Sequence, residues 1–129
     1  TVFENILVTV EQGVYRKSSA WWPHINKANC IERTEELIRS VGLINQSFSF
    51  ASDLTRYEQR CLGIARGLAM NPRILLIDEP ADGMNTQQQH ALAGILKDVC
   101  KGVLTLVVTS AGNDPVALIC DRTVHLSPH

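Results

Sequence analysis

The sequence predicts an α/β fold with a mostly parallel core sheet and a helical subdomain. Two short apolar runs, residues 74–77 and 103–108, have the composition of buried strands, and an amphipathic stretch with helical spacing separates them. A strand, a helix and a second strand in this order form a right-handed crossover with parallel strands. Two further amphipathic stretches before residue 42 predict the helices of the subdomain.

The first of these helices begins with a capping signal. Thr1 and Glu4 have the Thr-x-x-Glu spacing of a capping box, and apolar residues at helical spacing predict a helix that ends at Gly13. Residues 15–29 show no period and predict a surface loop or a broken helix. The loop carries Trp21 and Trp22, an adjacent pair that could contact a partner protein or pack on its own domain.

The second helix is predicted over residues 30–41, and Gly42 is expected to end it. Its expected apolar face consists of Ile31, Leu37, Ile38 and Val41. Residues 43–53 are polar and predict a loop. A third helix follows Thr55 and Glu58, which repeat the capping-box spacing, and it should end before residues 71–72, Asn-Pro. Gly63 and Gly67 lie four apart on it, a spacing that favours close packing on a sheet.

The central strand, residues 74–77, leads directly into Asp78, Glu79 and Pro80. Parallel strands of open α/β folds carry their ligand sites at the carboxyl edge of the sheet. Asp78 there could hold a metal-bound water, and Glu79 could orient or deprotonate the water that attacks a phosphate. The alternative interpretation is that the two acids merely open a solvated loop.

The second half of the chain predicts three more elements. Residues 86–89, Thr-Gln-Gln-Gln, should cap a fourth helix that Gly102 closes. Its expected apolar face consists of Ala91, Leu92, Ile95, Leu96 and Val99. A short helix is expected from residue 114 to residue 119, and a third strand from residue 123 to residue 126.

Composition excludes several classes of function. The chain has 129 residues, which is room for one domain, and a net charge of −1 gives no electrostatic footprint for nucleic acid. The four cysteines lie far apart, so neither a zinc spacing nor a small disulfide framework is indicated, and a reducing, cytoplasmic setting is expected. No apolar stretch reaches the length of a membrane span, so any tie to a membrane is expected to run through a partner.

The order of these pieces resembles the ATP-binding subunit of ABC transporters, which has a P-loop NTPase fold, and above all subunits of branched-chain amino-acid importers. The family has a Leu-Ser-Gly-Gly-Gln signature followed by Gln-Arg, and residues 54–60 read Leu-Thr-Arg-Tyr-Glu-Gln-Arg. The family's Walker B strand and catalytic glutamate correspond to residues 74–80, and its D-loop to residues 81–85. The opening residues 1–5 and the pair Asp121 and Arg122 are also similar to the family's.

The resemblance implies a helical subdomain over residues 1–53, and the signature helix, Walker B strand, D-loop and later core strands over residues 54–129 of the same domain. It implies Asp78 as metal ligand, Glu79 as general base, and Thr55, Arg56 and Glu58 as residues that contact ATP; the implied cofactors are ATP and Mg²⁺. Implied partners are a second ABC ATP-binding subunit, or self-association, and transmembrane permease subunits that tie a cytoplasmic protein to the inner membrane.

Four departures from the family weigh against ordinary catalysis. The phosphate-binding Walker A loop is absent, because in the family it precedes the position where this chain begins. Arg56 and Tyr57 replace the two signature glycines, so a tyrosine stands where backbone amides approach phosphate. Ala111 aligns with the switch histidine when the alignment runs back from residues 121–122. Asp82 and Asn85 alter the D-loop.

These departures lead to two functional hypotheses and one neutral one. The first is a partial, degenerate ABC ATP-binding domain, related to import of branched-chain amino acids or similar solutes, that is weak or inactive in ATP hydrolysis alone. The second is a pseudo-ATPase interaction module whose helices over residues 1–41 dock a partner. The third is a gene fragment without a selected role. A truncated sheet leaves open edges and apolar faces, so we expect self-association, a swapped arrangement or a missing amino-terminal half.

Overall fold

The computed structural model describes residues 1–17, 26–99, 101, 105–110, 115–116, 119–122 and 124. The described helices are α1 (Val2–Lys17), α2 (Lys27–Ser40), α3 (Arg56–Ala69) and α4 (Thr86–Val99), and the described strands are β1 (Ile74–Ile77) and β2 (Thr105–Val108). The strands are hydrogen-bonded neighbours in a two-stranded parallel sheet, which confirms the α/β prediction. The chain forms two compact units, Thr1–Leu75 and Leu76–His129. The domain boundary at residues 53 and 54 stays a prediction.

The first unit is a three-helix cluster in which α1 packs on α2 and α3, and α2 packs on α3. Its core is almost wholly aliphatic. The most deeply buried side chains are Val2, Ile6, Thr34, Val41, Leu43, Cys61 and Ala65. Burying such side chains is the main favourable term in folding a unit of this size.

The capping box at the start of α1 is confirmed. The Glu4 amide donates to Thr1 Oγ1 at 3.2 Å, and the amino group of Thr1 donates to the Glu4 carboxylate at 2.8 Å. The next two amides, of Val2 and Phe3, donate to the carbonyls of Ser49 and Ser47 at 3.0 and 2.9 Å. The loop before α3 therefore satisfies backbone donors that a helix start leaves unpaired.

The prediction that α1 ends at Gly13 is wrong, because Gly13 is a packing residue within the helix. A Cβ atom at this position would lie 3.0 Å from the backbone carbonyl oxygen of Ala69, so glycine allows a close approach to the end of α3 that a larger residue would push apart. Gly67 packs closely on the sheet, since a Cβ there would lie 2.9 Å from Leu75 Cδ1, which is the end of a flexible side chain rather than backbone. Gly63 has no such neighbour, so the close-packing prediction is confirmed for Gly67 alone.

Helix α2 begins at Lys27, earlier than predicted, because the side chain of Asn26 caps it. Asn26 Oδ1 accepts from the amides of Ala28 and Asn29 at 3.1 and 3.4 Å. The predicted apolar face is partly wrong, since Ile31 is 43% exposed. Thr34 is buried instead, and its hydroxyl donates to the Cys30 carbonyl at 2.7 Å, which satisfies a polar group inside the core.

Gly42 ends α2 as predicted. Its φ is +75°, its amide donates to the Arg39 carbonyl at 3.2 Å, and the Leu43 amide donates to the Ile38 carbonyl at 3.0 Å. These two bonds form a Schellman motif, and both residues of its outer bond, Leu43 and Ile38, are buried. The predicted loop over residues 43–53 contains two short 3₁₀ turns, Ile44–Gln46 and Ala51–Asp53.

In the second unit, the capping residue of α4 lies one position before the predicted one. The Gln88 amide donates to Asn85 Oδ1 at 2.9 Å, and the Asn85 amide donates to Gln88 Oε1 at 3.2 Å, so Asn85 rather than Thr86 carries the capping box. The buried residues of α4 are Leu92, Ala93 and Leu96, whereas Ala91 is exposed. Gly102 and the predicted elements at residues 114–119 and 123–126 lie wholly or mostly outside the described residues.

The prediction that β1 is a buried strand is wrong for alternate residues. Ile74 is 59% exposed and Leu76 is 73% exposed, and Val107 of β2 is 45% exposed. Side chains alternate between the two faces of a strand, and a sheet of two short strands leaves one of those faces uncovered. The predicted apolar face of a truncated sheet is therefore present.

Matched glycine substitutions test the packing at the end of α3. We expect Gly63→Ala to raise the free energy of unfolding by about 0.5–1 kcal/mol, because its exposed helical site gains propensity without a new contact. Gly13→Ala should instead lower it by about 1 kcal/mol, because the new methyl group meets a backbone oxygen. Urea denaturation followed by circular dichroism measures both changes. An equal stabilisation by the two variants would contradict the assigned role of Gly13.

Candidate functional site

The two acids predicted at the sheet edge lie there in the structure and are both exposed. Asp78 and Glu79 directly follow β1, and the side chain of Thr109, directly after β2, contacts both residues. The Thr109 hydroxyl donates to Asp78 Oδ1, and the Glu79 amide donates to Thr109 Oγ1 at 3.0 Å. The Thr109 amide donates to the Ile77 carbonyl at 3.1 Å, which extends the strand pairing to this point.

Glu79 has an unusual backbone conformation. Its φ is +39°, in the left-handed region, and non-glycine residues held there cost about 1–3 kcal/mol. Pro80, which follows it, is buried and restricts its backbone further. Strain of this kind persists only when neighbouring contacts fix the segment, and it is frequent at functional sites. The observation supports a functional interpretation of the acid pair over a plain solvated loop.

A tight turn carries the chain from the acids to α4. The Asp82 amide donates to the Glu79 carbonyl and the Met84 amide donates to the Ala81 carbonyl, both at 3.2 Å. Ala81 and Met84 are buried and anchor the turn to the second unit. Gly83 has a φ of +70°, which glycine adopts without strain.

The start of α3 holds the other predicted site residues, Thr55, Arg56 and Glu58. Both halves of the capping box are formed: the Glu58 amide donates to Thr55 Oγ1 at 3.3 Å, and the Thr55 amide donates to Glu58 Oε2 at 2.8 Å. The Thr55 hydroxyl also donates to Glu58 Oε2 at 2.7 Å. These three residues lie in the first unit and the acid pair lies in the second.

The capping box bears directly on phosphate binding. A helix start attracts anions because its backbone amides and dipole carry partial positive charge. In this chain the carboxylate of Glu58 already lies against that positive end, and the Thr55 hydroxyl is directed to the carboxylate. An incoming phosphate at the same amides therefore meets a negative charge as well as a helix start.

Tyr57 takes the second position after the cap and is half-buried on α3. Burial raises its pKa to about 12, and the nearby Cys61 side chain acts in the same direction, through the negative charge of its thiolate form and through a hydrogen bond. The phenol is therefore neutral over the physiological pH range and adds bulk rather than charge to this surface.

The acid pair fits a divalent cation only in part. Among the described residues, no group of three or more histidine, cysteine, aspartate or glutamate side chains is placed to hold a metal ion. Magnesium in phosphate chemistry is commonly bound by one or two carboxylates, with phosphate oxygens and water completing its shell. Asp78 has the exposure and chemistry for such a ligand, and most of the other ligands would come with the phosphate.

No family model matches the chain, but comparison with curated proteins found relatives that are named for methionine import. It is 32% identical over 123 residues to the methionine import ATP-binding protein MetN of Bacillus subtilis, covering 95% of this chain and 33% of that protein. It is 36% identical over 92 residues to the protein of that name from Geobacillus kaustophilus, covering 70% of this chain and 27% of that protein. The chain thus spans only part of the length of these relatives.

Comparison with solved structures shows the fold. The ADP conformation of MJ1267, an ATP-binding cassette of an ABC transporter, superposes with a TM-score of 0.73 at 20% identity, over 94% of this chain and 49% of that one. The structure of cbiO1 from Clostridium perfringens, which is part of the ABC transporter complex cbiONQ, superposes with a TM-score of 0.73 at 20% identity. The match covers 90% of this chain and 44% of that one. The chain therefore has the fold of an ABC-type ATP-binding cassette, and in sequence it is similar to methionine import ATP-binding proteins.

The ABC resemblance is confirmed, and the finer likeness to branched-chain importers is not, since the relatives are named for methionine import. The roles of Thr55, Arg56, Glu58, Asp78 and Glu79 stay predictions. No helix in the described part of the chain is both long and apolar enough to cross a membrane.

Sequence reasoning missed Thr109 as a contact of the acid pair. A signal was available, because Thr109 is the first polar residue after the apolar run of β2, and the carboxyl ends of neighbouring parallel strands meet at one edge. Trp21, Trp22 and Ala111, which the sequence analysis singled out, lie outside the described residues.

Substitution of Thr55 tests the structural role of the cap separately from any ligand role. We expect Thr55→Ala to lower the free energy of unfolding by about 1 kcal/mol, because the Glu58 amide loses its acceptor. Thr55→Ser keeps the hydroxyl and should recover most of the loss. Urea denaturation without nucleotide measures both, and an alanine variant as stable as the wild type would count against the cap.

The raised pKa of Tyr57 predicts a stability loss at high pH. The phenol has a pKa of about 10 in the unfolded chain, whereas its pKa in the folded chain is about 12. The stabilising contribution is therefore complete below the lower value and is lost as the pH rises through this window. Urea denaturation at several pH values should show a steeper fall in the free energy of unfolding for the wild type than for Tyr57→Phe. Equal slopes would contradict the prediction.

Proposed function

We propose that this chain is the signature-helix and acid-pair portion of an ABC-type ATP-binding subunit, and that it acts together with a segment that carries the phosphate-binding loop. The observation that carries the proposal is the acid pair, exposed at the end of a paired strand and hydrogen-bonded to the next strand. Similarity to ABC subunits over most of this chain supports it.

Within this proposal, Asp78 serves as the ligand for a metal-bound water and Glu79 as the general base towards the attacking water. Mg²⁺ bound with ATP would supply neutralisation of phosphate charge. The left-handed backbone of Glu79 sets the direction in which its side chain projects, and the hydrogen bond from Thr109 holds the carboxylate of Asp78. Thr55, Arg56 and Glu58 are proposed to meet ATP at the start of α3.

The chain alone is proposed to be weak or inactive towards ATP. In related subunits the phosphate-binding loop supplies backbone amides and a lysine, and this sequence has no such loop. At the start of α3 the Glu58 carboxylate competes with phosphate, and Tyr57 adds bulk. Ala111 has no polar side chain for the γ-phosphate, and removing one such contact costs roughly 100-fold or more in rate.

The exposed apolar residues of the sheet indicate that another segment or molecule covers them. The exposure of Ile74, Leu76 and Val107 supports a missing amino-terminal segment, or a second copy, that covers this face. A second ABC subunit and transmembrane permease subunits are proposed from the relatives, which would hold the protein at the cytoplasmic side of the membrane. For the solute, the names of the relatives support methionine or a similar amino acid over the branched-chain type.

A non-catalytic interaction module is the second candidate, and a specific observation favours it. Phe48 and Phe50 are 80% and 65% exposed on the first unit, and Phe48 stacks on Phe3 with ring centroids 6.2 Å apart. Exposed aromatic side chains are typical of protein contact sites. In this candidate the helices dock a partner protein and the acids have no catalytic role.

A chimera separates the two candidates. The segment of the Bacillus subtilis relative that precedes its matched region is joined to this chain, and Mg-ATP binding is measured by calorimetry. We expect no saturable heat for the chain alone at millimolar nucleotide and saturable binding for the chimera. Asp78→Asn should weaken that binding, and Glu79→Gln should retain ATP while slowing its hydrolysis.

Two outcomes would contradict the ATP-binding proposal. One is a chimera that folds, as circular dichroism reports, but binds no nucleotide. The other is binding that Asp78→Asn leaves unchanged.

A matched pair of variants, Leu76→Arg and Val8→Arg, tests whether the sheet face is covered in the chimera. Both side chains are exposed in the chain alone, at 73% and 53%, but only Leu76 lies on the sheet face. Leu76→Arg alone should impair assembly with the added segment.

A further inference from the structure

Thr109 contacts the acid pair through one atom. Its hydroxyl oxygen donates its proton to the Asp78 carboxylate and accepts the Glu79 amide proton at 3.0 Å. Its own amide donates to the Ile77 carbonyl at 3.1 Å. Three hydrogen bonds thus connect the first residue after β2 with three consecutive residues at the end of β1.

This arrangement acts on two different properties of the acids. The bond to Asp78 restricts the rotation of its carboxylate, which otherwise turns freely at an exposed position. The bond from the Glu79 amide fixes a peptide group beside a left-handed residue, φ +39°, that Pro80 restricts from the other side. A hydroxyl group is required for both bonds, because the same atom must donate and accept.

We propose that Thr109 is a positioning residue that holds Asp78 and Glu79 in one fixed arrangement before any ligand is bound. The inference rests on the proposed function, since it concerns the same acid pair. It goes further by assigning the arrangement to a side chain outside the acid-bearing segment. A preorganised site avoids the cost of ordering its side chains when the ligand arrives.

The hydroxyl is tested with Thr109→Val, which keeps the shape of the side chain, and Thr109→Ser, which keeps the hydroxyl. Backbone amide exchange is measured by NMR on the chain without nucleotide. We expect exchange of the Glu79 amide to accelerate by about tenfold in the valine variant and to stay near the wild-type rate in the serine variant. The Thr109 amide, bonded to a backbone carbonyl, should keep its rate in all three proteins.

Two results would overturn the inference. One is an unchanged Glu79 exchange rate in Thr109→Val. The other is equal acceleration in the valine and serine variants, which would indicate general loosening of the strand end. Thr109→Ala is measured as well, so that a distortion specific to valine cannot decide the outcome.

A kinetic measurement in the chimera links the positioning to catalysis. Thr109→Val should lower kcat for ATP hydrolysis with little change in KM, and Thr109→Ser should recover the rate. A wild-type chimera without activity would contradict the proposed function but leave the exchange measurement to decide the role of Thr109. If the chimera is active and its kcat is the same with and without Thr109→Val, the positioning role is overturned.

Discussion

The parallel pairing of β1 and β2 is the interaction on which the candidate site depends. Parallel strands end at the same edge of a sheet, so the pairing brings the first residues after both strands together although they are far apart in the chain. Asp78 and Thr109 meet for this reason, and the bond between their side chains extends the pairing beyond the regular sheet. Among the described residues, the side-chain contact that joins Asp78 to Glu79 comes from Thr109, directly after β2.

The two groups of candidate residues have opposite electrostatic character. The acid pair is exposed and suits a cation, whereas the start of α3 would suit an anion if its own glutamate were absent. The same Glu58 that stabilises the helix therefore reduces the attraction of that helix for phosphate. A glutamate at this position is therefore favourable for folding and unfavourable for binding phosphate.

Features set by neighbours in sequence could be predicted, and features set by distant packing could not. The capping box of Thr1 and Glu4 was predictable because its hydrogen bonds span three residues. Near Asn85 two capping signals overlap by one residue, and the sequence alone did not rank them. Gly13 appeared to end a helix because its contact with α3 is invisible in the sequence. Thr109 was missed because its partners lie about thirty residues earlier. The exposure of Ile74 and Leu76 was missed because an apolar run does not show whether anything packs on both faces of its strand.

The contact at Gly13 also limits how this sequence can change over generations. The Ala69 carbonyl oxygen lies 3.0 Å from the place of a Cβ atom at Gly13, so a larger side chain requires the neighbouring backbone to shift. Gly63 and Gly94, with open space around them, carry no such restriction. Among descendants of this chain, substitution should therefore be slow at Gly13 and faster at Gly63 and Gly94, and that difference would record where α1 contacts the end of α3.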